Sequence, residues 1–325
     1  MDRLGIDLSK AYFDARLLKP IEEKLYARFD NNASGFAKLQ KWLKANGVSE
    51  LHVCMEATNI YWEKLAQFLY DQGYTVSVVN PARIKGFAMS QLRRSKTDKL
   101  DSDVIAQFCR SQKPKAWKPP TPEQRKLRDL VRHRDALLKS VTQQKNRLTD
   151  CQDEVCADSL KRIIALLQTE IATSEEQLQK HIEQSPTLKH AYALLTSIQG
   201  YGPVASWTLL AEMPDLAHYE NAAAAAADAG VTPSHHESGD TIRRKSKISR
   251  VGKASVRGVL YWPARTAMRW NPIIKAFAER LEKKGKTDKV IVAAVIRKLI
   301  HIAYGVLKND TPFDPNYGKS PLPST

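Results

Sequence analysis

The chain has 325 residues, which is enough for two domains and a connector, and 42% of them are hydrophobic, as in an ordinary globular protein. Lys and Arg total 51 against 35 Asp and Glu, and the net charge of +16 predicts a polyanionic partner, with nucleic acid as the first choice and a membrane surface as the alternative. No run approaches the ~18 consecutive apolar residues of a membrane span, and the chain opens directly on a strand-like segment, so we expect neither a transmembrane helix nor a signal peptide.

The first part of the chain alternates between strand-like and helical patterns. Strands are predicted where apolar residues alternate with polar ones or run together, at residues 4–7, 12–18, 24–29, 51–55 and 75–79. Helices are predicted from the N-capping Ser34 to residue 43, at residues 61–71, after Asn80-Pro81, and at residues 98–110. Three early strands followed by strand–helix alternation predict an α/β domain in which helices pack on a mixed sheet.

A linker and a long helical region follow. Residues 113–122 are rich in Pro and Lys, as linkers are, whereas residues 123–183 contain no Gly or Pro and carry Leu and Ile at helical spacing. This pattern predicts an antiparallel helical hairpin or a coiled-coil arm that turns near residues 150–156. Such arms connect subunits or domains, and the alternative is a bundle within one subunit.

The remainder of the chain is predicted to be mainly α-helical. The alanine run at residues 222–227 is included because alanine is the best helix former, whereas residues 230–252 are predicted to be a polar, basic loop. Four aromatic residues fall among apolar helical positions, so most of them are expected in the core: Trp262, Trp270, Tyr261 and Tyr304. A loose tail ends the chain. The predicted divisions of the chain are residues 1–112, 113–184, 185–310 and 311–325.

The cysteines and histidines show no sign of a structural zinc site or of disulfides. The four cysteines form no CxxC pair and no zinc-finger spacing, and the eight histidines form no HExxH signature. Free thiols in a reducing compartment are therefore expected.

Four acidic residues stand out by their positions. Asp7 ends the first predicted strand within GIDLSK, and Glu56 ends the fourth within MEAT. Asp98 and Asp101 are three residues apart at the start of a predicted helix, so they share one face. Taken singly, each has an ordinary structural explanation, because an acid at a strand end is commonly a turn residue and Asp98 is favoured by the helix dipole.

The set of four is more specific than its members. In an RNase H-like sheet the first and fourth strands lie side by side, which would bring Asp7 next to Glu56, with the helix that carries Asp98 and Asp101 opposite them. Converging carboxylates repel one another unless cations lie between them, and Mg²⁺ prefers such oxygen ligands. Two Mg²⁺ ions about 4 Å apart can activate one phosphate oxygen and stabilise the leaving one. Asp103 is expected to face elsewhere, because it lies two residues beyond Asp101.

The motifs GIDLSK, MEAT and RRSKTDKLDSD resemble the DEDD-type transposases of bacterial insertion sequences, in particular the family whose type member is insertion sequence one hundred and ten. The resemblance covers nearly the whole chain. It implies an RNase H-like (RuvC-like) N-terminal domain and a recombinase guided by a structured, non-coding bridge RNA that the element encodes. One departure is Ser102, where family members often have Ala, but this position is not a ligand.

Residues 195–212 are typical of a helix-hairpin-helix. An apolar residue precedes Gly200-Tyr201-Gly202, and a second helix opens at Pro203. The two glycines let the backbone approach a phosphate closely, and the N–H groups at a helix N-terminus suit an anion. The alternative is a plain Gly-Pro turn between packed helices.

A dense group of cations follows, which would neutralise a track of backbone phosphates: Arg243, Arg244, Lys245, Lys247, Arg250, Lys253 and Arg257. In this segment Glu237-Ser238-Gly239 resembles the Ser-Gly of the family's transposase domain, which contains the nucleophilic serine. Without the resemblance, four other serines compete with Ser238, namely Ser234, Ser246, Ser249 and Ser255. A serine hydroxyl is a poor nucleophile by itself, so metals held by the carboxylates are the expected activators.

The resemblance thus implies a DNA transposase or recombinase that joins donor and target duplexes through a covalent phosphoserine intermediate. In the family a serine from one subunit completes the carboxylate site of another, which implies a homo-oligomer, a dimer or tetramer, with the helical arm as its interface. A cytoplasmic, nucleoid-associated bacterial protein with Mg²⁺ as cofactor and no membrane contact is expected. The alternatives are a metal-dependent junction endonuclease that uses activated water, and a nucleic-acid-binding scaffold without activity.

Overall fold

The computed structural model describes residues 1–20, 23–57, 59–91, 98–234, 237–238, 242–243, 247–249 and 251–316. At residues 98, 99, 234, 237, 238, 242, 243 and 247 the description covers the backbone alone. The chain forms two compact units, Met1–Pro119 and Pro120–Thr325. The division between them falls within the predicted linker.

The first unit contains a five-stranded mixed sheet. β1 (Asp2–Leu8), β2 (Tyr12–Leu18) and β3 (Lys24–Asp30) pair antiparallel, and β4 (Leu51–Glu56) and β5 (Thr75–Val79) join β1 in parallel. The strand order is β3-β2-β1-β4-β5, so β1 lies between β2 and β4. Short connections allow the first strands to pair antiparallel, whereas parallel strands need longer crossovers. All five predicted strands are confirmed, with ends that differ by at most two residues.

Four helices are described in the first unit: α1 (Ala33–Ala45), α2 (Glu63–Asp71), α3 (Pro81–Ser90) and α4 (Asp98–Gln112). The cap of α1 differs from the prediction, because Asn32 occupies the N-cap position and its side chain accepts a hydrogen bond from the Gly35 N–H. A capping residue has extended backbone geometry, whereas Ser34 is already inside the helix. Asn80 caps α3.

The sheet separates two layers of different character. On one face, Leu4 and Ile6 of β1 belong to a large apolar core that includes residues of α1 and α2. On the other face, Cys54 of β4 packs with Ile105 and Cys109 of α4. Because successive side chains of a strand point to opposite faces, alternate residues of β1 and β4 face α4.

Gly5 allows α4 to lie very close to β1. A Cβ atom at this position would lie 2.2 Å from the backbone nitrogen of Ala106 and 2.3 Å from the carbonyl oxygen of Ser102. These are backbone atoms, which cannot rotate away as a side chain could. The absence of a side chain at residue 5 therefore sets the spacing between the sheet and the helix that carries Asp98 and Asp101.

We expect Gly5→Ala to destabilise the protein by about 1–3 kcal/mol, because the added methyl group has to displace the α4 backbone. Gly86→Ala is the matched control: Gly86 lies inside α3, where a Cβ would meet nothing within 4 Å. We expect this control to stabilise the helix by roughly 0.5–1 kcal/mol. Urea denaturation followed by circular dichroism measures both changes, and equal stability of the two variants would contradict the close approach of α4.

A helical hairpin opens the second unit. α5 (Pro122–Thr149) begins with a capping box in which Thr121 and Gln124 exchange hydrogen bonds. α6 (Glu154–Gln184) begins after Asp153, whose side chain accepts a hydrogen bond from the N–H of residue 156. The predicted pair of helices is therefore present, and the turn between them lies in the predicted region.

The two ends of this hairpin differ in burial. At its base, Leu127 of α5 and Leu178 and Ile182 of α6 belong to the core of the second unit. Toward the turn, apolar side chains are exposed: Val155 is 78% exposed and Leu166 is 62% exposed. The base is thus continuous with the C-terminal core, although the sequence suggested a boundary after residue 184.

The rest of the second unit is mainly helical in its described residues. It includes a 3-10 turn at Leu216–His218 and the helices α7 (Pro186–Thr196), α8 (Pro203–Glu212), α9 (Ala222–Asp228), α10 (Ala254–Val259), α11 (Tyr261–Trp270), α12 (Pro272–Lys283) and α13 (Asp288–Asn309). By length and composition α13 could cross a membrane, but 50% of its most apolar stretch is buried inside the unit. Its buried side chains belong to the core of this unit. The Phe313 N–H donates to Ser197 Oγ at 2.8 Å, so the predicted loose tail is held at its start, and residues 317–325 lie outside the described residues.

The predicted basic loop at residues 230–252 contains short β-ladders, which corrects that prediction. β6 (Pro233–Ser234) pairs with β9 (Lys247–Ile248), and β7 (Glu237–Ser238) pairs with β8 (Ile242–Arg243), both antiparallel. The second ladder is nested inside the segment that the first encloses. Strands of two residues are too short to show an alternating pattern, which is why the sequence did not indicate them.

Candidate active site

Asp7 and Glu56 lie at the same end of two neighbouring strands. β1 and β4 are parallel with Ile6 opposite Met55, so Asp7 and Glu56 are the next residues on the two strands. Adjacent strands lie about 4.8 Å apart, which makes these two residues neighbours at the carboxyl edge of the sheet. Both are half-buried.

Both acids project from the face of the sheet that α4 covers. Ile6 and Met55 belong to the core on the opposite face. Asp7 therefore shares the face of Gly5, and Glu56 shares the face of Cys54, which packs against α4.

The direction of α4 brings its first turn toward these acids. Ser102 of α4 lies at the level of Gly5, whereas the Cys109 thiol donates to the carbonyl oxygen of His52 at 3.5 Å, near the start of β4. α4 therefore begins near the carboxyl edge and runs away from it. Asp101, one turn from the start of α4, is half-buried on this side, while the side chain of Asp98 lies outside the described residues.

The acids at this edge carry carboxylate oxygens, which are the ligands that Mg²⁺ prefers. Among the side chains described, no three from His, Cys, Asp or Glu approach closely enough to form a metal cluster. The structure therefore brings Asp7, Glu56 and the start of α4 to one edge, and a four-acid metal site that includes Asp98 stays a prediction.

Asp103 faces away from this group, as the sequence predicted. It is buried, accepts a hydrogen bond from Gln107 at 2.8 Å, and lies 4.0 Å from Arg16 and 3.8 Å from Lys24. These contacts attach α4 to β2 and β3. Asp103 thus helps to position the helix that carries Asp101.

One buried acid near the site was missed by the sequence analysis. Asp14 lies directly opposite Asp7 in the pairing of β1 with β2 and is 1% exposed. Its carboxylate accepts hydrogen bonds from Arg28 Nε and Nη2 at 3.0 Å and from the Tyr26 hydroxyl at 2.5 Å, and this last bond raises the pKa of Tyr26. Arg28 thereby offsets a negative charge next to Asp7. The signal that could have revealed Asp14 is the alternation of charged and apolar residues along β2.

The predicted nucleophile lies in a short hairpin strand. Ser238 of β7 is opposite Ile242, and Glu237 is opposite Arg243. The description of Ser238, Arg243 and Lys247 covers the backbone alone, and the remaining predicted cations of this segment, Arg244, Lys245 and Arg250, lie outside the described residues. The roles proposed for these side chains stay predictions.

Two predicted phosphate-binding cations make contacts within the second unit. Lys253 Nζ donates to the carbonyl oxygen of Glu212 and lies 3.6 Å from the carboxylate of Asp228. Arg257 Nη1 donates to the carbonyl oxygen of Gly230 at 3.2 Å. Both side chains are half-buried, and these contacts join the start of α10 to the end of α8 and to the end of α9.

The two glycines of the predicted helix-hairpin-helix have different structural roles. Gly200 has a φ of +110°, in the left-handed region that favours glycine, and a Cβ there would lie 2.8 Å from the Cβ of Ala267. Gly202 occupies the N-cap of α8, and a Cβ there would meet nothing within 4 Å. Gly200 is therefore required by backbone and packing, whereas the predicted phosphate contact at either glycine stays a prediction.

Two tryptophans that were expected in the core are exposed, which corrects that expectation. Trp262 is 74% exposed, Trp270 is 73% exposed and Tyr261 is 40% exposed, whereas Tyr304 is buried. Helical periodicity places a residue on one side of a helix but does not say which neighbours cover that side.

The chain is similar to transposases and to two gene-inverting proteins. Residues 4–157 match a family described as Transposase, and residues 192–279 match the Transposase IS116/IS110/IS902 family. The chain is 33% identical over 324 residues to the pilin gene-inverting proteins of Moraxella bovis and Moraxella lacunata, an alignment that spans 96% of this chain and 97% of each relative. It is therefore an enzyme that acts on DNA. The chain belongs to the IS110 family of transposases and recombinases.

Proposed function

We propose that the chain is a Mg²⁺-dependent, site-specific DNA recombinase of an insertion sequence, guided by a bridge RNA and using Ser238 as its nucleophile. The observation that carries this proposal is the position of Asp7 and Glu56 at one sheet edge, next to the start of α4, in a chain of a transposase family. The strand order, with β1 beside β4, supports an RNase H-like (RuvC-like) fold. The long α5–α6 hairpin is consistent with a coiled-coil arm.

Asp7, Glu56, Asp98 and Asp101 hold the metal in this proposal. Bound Mg²⁺ would supply Lewis-acid chemistry, which polarises a DNA phosphate and stabilises the charge on the attacking and leaving oxygens. The chain's own contacts orient the acids: Gly5 permits the close approach of α4, and Asp103 attaches that helix to β2. Arg28 offsets the charge of Asp14, which limits the repulsion that Asp7 experiences.

Ser238 attacks the phosphate in this proposal. Its hydroxyl loses a proton, a bond forms between Oγ and phosphorus, and the bond from phosphorus to a deoxyribose oxygen breaks, so that this oxygen takes up a proton. The hydroxyl end of the exchanged strand then attacks the phosphoserine and releases the serine. The ester conserves the energy of the original bond, so rejoining needs no high-energy cofactor.

Site selection is assigned to base pairing with the guide RNA, while the protein binds nucleic-acid backbones. The net charge of +16 supports extensive phosphate contacts, which carry little sequence information. The name of the two relatives also supports site-specific exchange, because inversion of a gene requires two cuts and two rejoining events at defined positions.

Assembly of a dimer or tetramer is part of the proposal. A serine from one subunit would complete the carboxylate site of another. The exposed apolar side chains near the turn of the α5–α6 hairpin, Val155 and Leu166, support this segment as the interface. A cytoplasmic, nucleoid-associated location follows from a DNA substrate.

The test is incubation of the purified protein with the RNA that flanks its gene and a matched donor and target DNA pair. We expect recombinant DNA when both the RNA and Mg²⁺ are present, and none when the guide segment is scrambled or the metal is chelated. Recombination without the RNA would contradict guidance by the RNA. Recombination with the metal chelated would contradict the metal-dependent carboxylate mechanism.

A further inference from the structure

α11 carries an exposed aromatic side that the proposed chemistry does not use. Trp262 is 74% exposed and Trp270 is 73% exposed, and Thr266 and Arg269 between them are also exposed. The residues four, seven and eight positions after Trp262 are Thr266, Arg269 and Trp270. This spacing places all four side chains on one side of the helix. We call this side the α11 face. Large apolar side chains clustered on a surface mark a binding site more often than isolated ones do.

Packing on the opposite side of α11 holds this face in place. Ala264 and Ala267 are fully buried, and Ala267 contacts the turn at Gly200. A groove of about 700 Å³ runs between that turn and α11. Trp262 and Thr266 line one side of the groove, and Gly202 and Pro203 line the other.

The segment that contains α11 is strongly basic in sequence, and Arg134 and Asp135 of α5 also line the groove. Residues 241–278 contain ten Lys or Arg and no Asp or Glu. Arg265 is paired with Asp288 at 2.6 Å, but within the described part of the chain no carboxylate pairs with Arg269. Aromatic side chains among cations suit a polyanion that also presents flat apolar rings, which describes a nucleic acid with unstacked bases.

We propose that the α11 face binds single-stranded DNA, with bases stacked on Trp262 and Trp270 and a phosphate bound by Arg269. Exchange of strands between two duplexes requires base pairs to open before new pairs form, so unpaired DNA arises in the reaction of this family. Stacking on an aromatic ring tolerates any base, as such a site needs. The inference rests on DNA recombination by the family and is independent of the proposed metal, serine and guide RNA.

Binding of a labelled thymidine oligomer to the full-length protein, measured by fluorescence anisotropy, tests this site. We expect Trp262→Ala and Trp270→Ala each to weaken binding about tenfold. Trp262→Phe should keep most of the affinity, because a flat ring remains. Arg269→Gln should lower the slope of log affinity against log salt by about 0.7, whereas Trp262→Ala should leave that slope unchanged, because stacking is not electrostatic.

Val290→Ala is the matched control, since it removes an exposed apolar side chain from α13 in the same unit and should leave oligomer binding unchanged. Circular dichroism verifies that each variant is folded. Unchanged affinity in both tryptophan variants would overturn the inference. Loss of binding to an RNA oligomer alone in the tryptophan variants would also overturn it and would indicate RNA as the occupant. A changed oligomeric state with intact DNA binding would overturn it too and would indicate a second copy of the chain. Asp7→Asn should still bind the oligomer, which separates this site from the proposed catalytic mechanism.

Discussion

Asp7→Asn is expected to lower the rate of DNA cleavage by about 10³-fold or more while DNA binding is retained. Asparagine preserves the size of the side chain but removes the negative charge that would hold Mg²⁺ between β1 and β4. Asp7 lies beside Glu56 at the edge where the metal is proposed, so the loss should fall on cleavage and not on DNA binding. Single-turnover cleavage of labelled DNA and a DNA-binding assay measure the two effects.

Asp30→Asn is the matched control for this variant. Asp30 ends β3 at the same edge of the sheet, two strands away from Asp7, and its side chain is exposed. The same chemical change there should leave cleavage unchanged. Full cleavage activity of Asp7→Asn would contradict the proposed metal role of Asp7, and an equal loss in both variants would indicate a general electrostatic effect on DNA binding.

Ser238→Ala is expected to abolish the covalent protein–DNA adduct and to reduce recombination by about 10⁴-fold or more, as removal of a nucleophile does in other enzymes. Without Oγ, no phosphoserine ester can form and the bond energy of the cleaved strand is not conserved. Denaturing gel electrophoresis of labelled DNA detects the adduct, and a junction-specific amplification measures recombination. DNA binding and the melting temperature should be unchanged.

Ser234→Ala controls for serine removal in the same hairpin. Ser234 lies in β6, opposite Lys247, and is one of the serines that competed with Ser238 in the sequence. It should retain both the adduct and recombination. Loss of the adduct in Ser234→Ala alone would identify Ser234 as the nucleophile. Continued DNA cleavage by Ser238→Ala, with no adduct in the unmodified protein either, would favour the endonuclease that uses activated water.

The elements of the first unit and three members of the candidate site could be predicted because their signals are local. Short apolar runs marked β1 and β4, and the acids Asp7 and Glu56 end those runs. Asp101 lies at the start of a helix with its own periodic pattern. The absence of Gly and Pro, with Leu at helical spacing, likewise indicated the α5–α6 hairpin.

Other features depend on residues that are distant in the sequence. Asp14 becomes part of the surroundings of Asp7 only when β2 pairs with β1, and Arg28 reaches it from β3. Arg257 looked like a free cation but bonds to Gly230, which lies 27 residues earlier. Trp262 looked like a core residue, yet no described neighbour covers it sufficiently to bury it.

The sequence by itself determined the five strands of the first unit and the long helices, the positions of the four acids along them, and the basic character of the chain. Those properties follow from the order of residue types, because backbone geometry repeats every 2.0 residues in a strand and every 3.6 in a helix. The tertiary structure alone decided that the acid-bearing face of the sheet is the one covered by α4, that Gly5 permits that contact, and that the tryptophans of α11 stay exposed. Burial and proximity depend on which elements pack together, and periodicity within one element does not contain that information.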